Sequence, residues 1–596
     1  MIQPSPHIAD AVSSITEMHR HQLLEFLSTY ANFEQANNEA AQLTGIQRFF
    51  PDDQSFTEFQ RQLRRPIAVS TIANHREWGD FQTPSSLAAR ICEYLIASGV
   101  SPQIIIEPTY GLGRFIFAAR KAFPTTKLIY GVEIQDKYEW NLKTALLLKS
   151  FDGLGASTEI ELHRDDIFTH RFSGDLLKTQ NLLIIGNPPW VTNTELSGLQ
   201  SRNLPKKVNL KSLDGMDALT GKSNFDLGES ILLRLLETFA GRHGTLALLC
   251  KNSVIKNFVE LLPRRRFKVA NIRALEIDAQ REFGAAVDAS LLVLETGTLK
   301  TSLTCKAGTL NRPQQFDRSL GWIKGRFVAN IESYMAHAEL DGQSPLVWRQ
   351  GIKHDCARIM ELSRQANLWI NGNGEAVKVE SEYVYPLLKS SDLRSFEISD
   401  ARKRVIVTQQ QLGEDTAKLE RAAPALWQYL MRNAAAIAAR KSIIYRGKPR
   451  FSIFGIGEYS FKPYKVAISG LYKSACFSIV LPMDNRPAML DDTCYFLGFD
   501  NYRDALFTTA LLNSSIVKDL LQAIVFADAK RPYTKEALMR IDLARAAALI
   551  SFREIVNELQ NRNYEPRRRI SEADYEAYKQ ILSADHQNSQ AQLSFI

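Results

Sequence analysis

Gln103-Ile104-Ile105-Ile106-Glu107-Pro108-Thr109-Tyr110-Gly111-Leu112-Gly113-Arg114-Phe115 opens on an apolar run, turns on two glycines and enters the helical pattern Phe115 to Phe123. Strand, glycine turn and helix in that order begin the doubly wound α/β arrangement, which takes nucleotide-like ligands at the carboxyl ends of its strands. The next apolar segment, Lys127 to Val132, delivers Glu133 twenty residues past Gly113, the separation expected of an acid that binds ribose hydroxyls. A third segment, Glu159 to His163, ends in Arg164-Asp165-Asp166-Ile167-Phe168. A fourth, Leu182-Leu183-Ile184-Ile185-Gly186, ends in Asn187-Pro188-Pro189-Trp190. A lone G-x-G often marks only a tight turn. Four successive strand ends with matching chemistry are much harder to explain that way.

The fourth strand end carries the reaction chemistry. Pro188 and Pro189 have no N–H and locked φ angles, so this turn offers acceptors and almost no donors. Such an array suits a guest with two hydrogens to donate, an amino group. The Asn187 side-chain oxygen and the Pro188 carbonyl each take one hydrogen, which turns the nitrogen lone pair toward an electrophile; Trp190 offers a flat face for a ring. A dinucleotide reading fits less well, because Phe115-Ile116 stand where G-x-G-x-x-G needs its third glycine. Glu107 beside the turn suits a cationic ligand better than a pyrophosphate, and S-adenosylmethionine carries both a sulfonium and an ammonium.

These motifs resemble the site-specific adenine DNA methyltransferases of restriction–modification systems in the γ motif order: cofactor motifs, catalytic tetrapeptide, then a C-terminal target-recognition domain. The resemblance covers roughly residues 75 to 300. It implies that Phe81-Gln82-Thr83-Pro84 closes over the methionine end of the cofactor, with Phe81, Thr83 and Pro84 as contacts. Glu107, Pro108, Gly111 and Gly113 match the glycine motif, Glu133 the ribose acid, and Asp166 and Ile167 the adenine pocket, with Asn187 also near the cofactor. Asn187, Pro188, Pro189 and Trp190 match the catalytic tetrapeptide, and Phe283 falls where the family stacks an aromatic on a flipped base, beside Trp190. Two features depart from the family pattern: Tyr110 stands where a small residue is usual, and Arg114 follows the second glycine. The implied reaction transfers a methyl group from S-adenosylmethionine to N6 of an adenine flipped out of double-stranded DNA. A separately encoded endonuclease would be the companion activity.

Composition agrees with this reading. A chain of 596 residues with 45% hydrophobic content supports two or three domains, and a net charge of +8 suits a polyanionic partner. The six cysteines form no C-x-x-C pair and the histidines show no ligand spacing, so no metal site is expected. No apolar run is long enough for a membrane span and no signal segment is evident, so a cytoplasmic enzyme is expected.

The expected fold is a Rossmann-like α/β methyltransferase domain of seven strands over residues 67–298, with helices on both faces. A helical N-terminal segment (1–66) precedes it, an α+β target-recognition domain (299–545) follows, and a helical segment with a frayed tail (546–596) ends the chain. Pro51-Asp52 is compatible with the start of a nuclease motif, but the lead-in lacks room for a nuclease core and reads as a packing cap. The polar stretch Val191 to Gly221, with Lys206 and Lys207, is either a DNA-closing loop or a solvated insertion. From residue 300 aromatics interleave with bases, giving Arg349, Lys353, Lys389, Arg446, Lys448, Lys462, Lys465, Lys530 and Arg531 as DNA-contact candidates. Rival readings remain: an RNA or protein-amide methyltransferase with the same turn, cytosine N4 methylation, or a specificity subunit with a dead methyltransferase fold.

Overall fold

The computed structural model describes residues 6–13, 15–65, 81–153, 158–191, 226–265, 267–366 and 368–593. Lys206, Lys207 and most of the polar stretch after Trp190 lie outside these residues. Two compact units divide between Phe327 and Val328.

The first unit is built on one sheet. Its strands are β1 (Ile104–Glu107), β2 (Leu128–Glu133), β3 (Glu159–Arg164), β4 (Leu182–Gly186), β5 (Gly244–Lys251), β6 (Val269–Ile277), β7 (Ala289–Thr296), β8 (Thr304–Thr309), β9 (Phe316–Ile323) and β10 (Arg326–Val328). They lie in the order β10-β9-β8-β6-β7-β5-β4-β1-β2-β3. The seven strands read from sequence are therefore joined by three more. Strand β8 pairs parallel to β6 and antiparallel to β9, so the sheet runs well past the boundary expected at residue 298. β1 pairs parallel with β2 on one side and β4 on the other, so the chain order reverses at β1. That reversal leaves a crevice beyond the carboxyl ends of β1 and β4, where open α/β sheets bind their ligands. Every residue of β4 is buried, as expected of a parallel strand covered on both faces.

Four helices form the lead-in: α1 (Pro6–Ser13), α2 (Glu17–Ser28), α3 (Phe33–Thr44) and α4 (Asp53–Arg64). Asp52, the residue of the nuclease question, caps α4 by accepting from the Ser55 N–H at 2.7 Å. These helices pack on α7 (Asp136–Phe151) and share its core: Leu23, Leu27, Phe49 and Phe59 cluster with Leu142 and Leu146. Phe59 stacks on Trp140 at 5.7 Å between ring centroids. Gly45 after α3 accepts from the Ile160 N–H at 2.9 Å, which satisfies part of the exposed edge of β3. Two further helices frame the crevice, α5 (Ser85–Ala97) and α6 (Arg114–Ala122).

The second unit holds two sheets. One has five strands, in the order Arg349–Gln350, Cys494–Phe499, Tyr464–Ser469, Phe477–Val480 and Glu397–Ile398. The other has six: Ala376–Val377, Leu368–Asn371, Glu361–Gln365, Lys403–Ile406, Val384–Leu388 and Met489–Leu490. Helices close the unit, and the last, Glu572–Leu593, carries the tail expected to fray as regular helix almost to its end.

Candidate active site

Strand β1 ends at Glu107, and the chain turns through Pro108 to Gly113 before α6 begins. Gly111 has φ +49° and Gly113 φ +69°, values that glycine adopts at no steric cost. A Cβ at Gly113 would meet Leu142 Cδ1 at 2.4 Å, and one at Gly111 would meet Gln82 Oε1 at 2.8 Å. The turn is thus pinned from both sides. Gln82 Oε1 accepts from the Leu112 N–H at 3.0 Å, tying the Phe81–Thr83 segment to the glycine turn. The Glu133 carboxylate at the end of β2 accepts from Gly111 N–H at 3.0 Å and Gln135 N–H at 2.9 Å. Backbone donors hold it in place before any ligand arrives.

These elements enclose a cleft of about 1120 Å³, mouth included, which is ample for a nucleoside-sized ligand. The strand ends bring together on its wall Phe81, Thr83, Glu107, Pro108, Gly111, Glu133, Asp166, Ile167, Asn187, Pro188 and Pro189, all expected from sequence. Pro84 and Gly113 are not on the wall: Pro84 leads into α5, and Gly113 backs onto Leu142. The wall also holds Gln82, Tyr110, Tyr138 and Asp165, which were not picked out as contacts. Gln82 and Asp165 adjoin quoted motif residues, so their position was available. Tyr138 lies in the first turn of α7, where the helix that follows Glu133 first faces the ligand.

Glu107 is 2% exposed, and its Oε2 has no hydrogen-bond partner among the described residues. Burial pushes its carboxyl well above the ordinary range, against the pull of the Ile116 N–H and with nearby Glu133 adding to the rise. The Tyr110 hydroxyl is also buried, with no hydrogen-bond partner among the described residues, and burial raises it in the same way. Buried polar atoms without partners each cost about 1–3 kcal/mol. Both residues lie on the cleft wall.

Asn187 is oriented by a single bond. Its Nδ2 donates to the Phe81 carbonyl at 2.8 Å, and a carbonyl can only accept, so the amide must turn its NH₂ that way. Oδ1 then faces elsewhere, buried and with no hydrogen-bond partner among the described residues. Trp190 stands apart from the cleft wall. It is 5% exposed, donates Nε1 to the Leu249 carbonyl at 3.4 Å, and packs edge-on against Phe283 with centroids 5.0 Å apart. Phe81 completes this three-ring cluster, 5.7 Å from Trp190 and 6.2 Å from Phe283. The open flat face expected of Trp190 is covered by its neighbours here.

Asp165 and Asp166 form a braced turn after β3. Asp165 accepts from the Asp166 N–H at 2.8 Å, and Asp166 from the Phe168 N–H at 3.0 Å. His170 Nδ1 lies 2.9 Å from Asp165, while its Nε2 lies 2.7 Å from the Tyr130 hydroxyl. The bond from His170 is the main reason the Asp165 carboxyl sits below its usual range.

The basic candidates of the second unit divide in two. Arg446, Lys448 and Lys530 are exposed. Others are engaged: Lys353 and Arg531 both pair with Asp492, Lys389 donates to Glu361 at 2.6 Å, and Lys462 to Asp500 at 2.5 Å. Arg349 lies over the Tyr459 ring at 4.7 Å. Lys465 must be withdrawn as a phosphate contact. It is 1% exposed, donates inward to the Lys462 carbonyl at 2.8 Å, and burial pushes its ammonium down to about 7. Among the described residues no group of histidine, cysteine or acidic side chains is placed to hold a metal ion, and no helix is long and apolar enough to cross a membrane.

No protein-family model matches the chain. Among solved structures it is similar to the Type IIL restriction–modification enzyme MmeI in complex with DNA, at 12% identity and a TM-score of 0.49 over 83% of this chain and 75% of that one. It is also similar to the type IIG restriction endonuclease BpuSI, at 13% identity and a TM-score of 0.36 over 98% and 78% of the two chains. In sequence it is 38% identical to the Type II methyltransferase M.NspV of Nostoc sp. over 478 residues, 80% of this chain and 98% of that relative. Identity at that level, over most of one chain and nearly all of the other, makes this protein a member of the Type II methyltransferases.

Proposed function

We propose that the protein methylates N6 of adenine in double-stranded DNA, with S-adenosylmethionine as donor and the target base flipped out of the helix. The observation that carries this reading is Asn187: a buried amide oxygen just past the end of β4, with no partner among the described residues, fixed by the bond from its own NH₂ to Phe81. Only a guest that brings a hydrogen satisfies that oxygen, and an exocyclic amine brings two. The Pro188 carbonyl takes the second.

The residues present fit the donor. Glu107 Oε2, buried and with no partner among the described residues, complements a positive charge; Glu133 suits a ribose diol. Asp166 and Ile167 would line the adenine end and Phe81 and Thr83 the methionine end. When bound, the donor supplies a methyl group on positively charged sulfur. The chain supplies alignment. Asn187 and Pro188 hold both amine hydrogens, which directs the nitrogen lone pair along a fixed line. The same two acceptors hold the nitrogen as it gains positive charge in the transition state, an electrostatic contribution already in place. No base is required first, because the amine becomes acidic only once methylated: as the nitrogen–carbon bond forms, the carbon–sulfur bond would break with its electron pair left on a neutral thioether, and the surplus N6 proton would then pass to water.

Flipping the base costs a few kcal/mol. Stacking on an aromatic returns about 1–3 kcal/mol. The Phe81–Trp190–Phe283 cluster is the stock of rings available for this, and stacking on Trp190 requires one neighbour to swing aside. Asn187→Ala is expected to lower kcat by at least about a hundredfold while the dissociation constant for S-adenosylmethionine shifts by less than about threefold. Single-turnover methylation of duplex DNA with tritiated donor, beside calorimetric titration, reads both. An Asn187→Ala protein of full activity would remove the proposed chemistry.

A further inference from the structure

In the second unit, the chain leaves the strand Lys403–Ile406 and enters Gln409-Gln410-Gln411-Leu412-Gly413-Glu414. Three amides and an apolar tip are an unusual content for a surface loop, and the tip is bare: Leu412 is 59% exposed. The backbone of the loop is nonetheless locked. The Glu414 carboxylate accepts from the N–H groups of Gln410 at 2.5 Å and Gln411 at 3.2 Å and pairs with Lys418. Gln409 spends its own amide inward, donating to the Gln411 carbonyl at 2.8 Å. The side chains of Gln410 and Gln411 are exposed and make no hydrogen bond among the described residues.

The loop is tied to a basic turn. Thr408 Oγ1 donates to the Phe451 carbonyl at 2.8 Å, and Ile453 N–H donates to Gln409 Oε1 at 3.3 Å. The turn Tyr445-Arg446-Gly447-Lys448-Pro449-Arg450 is itself clamped by Arg440, which lies over the Tyr445 ring at 3.7 Å and donates to the Ser452 carbonyl at 2.8 Å. Arg446 and Lys448 stand exposed on it, with no ion pair among the described residues. A braced loop with two free amides, its one carboxylate Glu414 paired with Lys418, is thus tied to a braced turn that carries two free cations. Protein–DNA contacts divide the same way, with cations on phosphates for position and amides on base edges for sequence.

We infer that this pair is a base-reading element for duplex DNA. Gln410 and Gln411 hydrogen-bond base edges in the major groove, Leu412 contacts an apolar base surface such as a thymine methyl, and Arg446 and Lys448 hold the flanking phosphates. An amide side chain matches adenine N7 and N6 bidentately, so the site read by this loop contains adenine. The inference rests on the reading of the protein as a duplex-DNA methyltransferase.

The test uses the full-length protein, S-adenosylmethionine and a pool of duplexes with a randomised centre, with methylated positions read by sequencing and initial rates taken over a salt series. Wild-type protein that methylates no duplex would refute the functional reading itself. With wild-type activity in hand, Gln410→Ala and Gln411→Ala are expected to relax discrimination at one or two positions of the site by about 5- to 150-fold and leave the others intact. Gln410→Glu, similar in size but only an acceptor, is expected to raise the rate on sites carrying cytosine at the same position. Arg446→Ala with Lys448→Ala is expected to weaken binding equally across sequences and to lower the salt slope by about 2. Unchanged sequence preference in every loop variant, or an unchanged salt slope in the basic pair, overturns the inference. These side chains are exposed, so melting temperature should stay within about 2 °C of wild type; preference lost only together with melting temperature also counts against it.

Discussion

At the scale of single residues, the proposed function turns on Asn187 and Glu107. Glu107 ends a buried strand and Asn187 directly follows one, and each keeps an oxygen with no hydrogen-bond partner among the described residues. For Glu107 this has a pH signature. Its carboxyl is held well above the ordinary value of 4.5, so above that pH the unfolded chain releases a proton that the folded, ligand-free protein retains. Stability is therefore lost as pH rises from about 4.5 toward the raised value. Glu107→Gln is expected to melt higher than wild type without ligand, by a margin that widens between pH 5 and pH 7, which scanning calorimetry over that range checks. The same proton must leave before a cation is held, so donor affinity in the wild type should tighten with pH by up to about tenfold per unit, and lose that dependence in Glu107→Gln. Both residues were legible in the sequence, because acids and amides directly after apolar runs point out of the sheet edge. The setting of Trp190 was not. Its partners Phe81 and Phe283 lie far away along the chain, and only the fold shows that the three rings cover one another.

At the scale of elements, the glycine turn owes its shape to α7 as much as to its own residues. Gly113 combines a left-handed φ with contact on Leu142, a fully buried side chain with little room to move. Gly113→Ala is expected to destabilise the protein by about 1–3 kcal/mol. Adding Leu142→Ala should relieve the steric part, so that the double variant costs less than the sum of the two, a coupling that urea denaturation measures. The strand–turn–helix units were legible because buried parallel strands read as continuous apolar runs. Strands β8 to β10 were not, since Thr304–Thr309 and Phe316–Ile323 are half-exposed and mix polar with apolar residues. The sheet had seven plausible members without them. Lys465 misled for a related reason: beside Lys462 and aromatics it reads as surface, but its strand lies between two partners and is buried.

Across the whole molecule, the lead-in helices are part of the first unit's core. Phe49, Phe50 and Phe59 enclose Trp140 on α7, and α7 in turn supports the glycine turn. Removal of residues 1–65 would expose that aromatic surface and the edge of β3. The truncated chain is expected to aggregate, and size-exclusion chromatography with light scattering would detect it. Net charge alone would have overstated the DNA-binding surface, because several of the basic side chains expected there neutralise acids instead. The central claim concerns one oxygen at the end of β4 and the amine it holds. Its most direct test is to incubate the protein with duplex DNA and S-adenosylmethionine carrying a deuterated methyl group, then digest the DNA to nucleosides for mass spectrometry. The account predicts labelled N6-methyldeoxyadenosine from wild-type protein and almost none from Asn187→Ala. Label in N4-methyldeoxycytidine, or only in RNA or protein from parallel reactions, would contradict it.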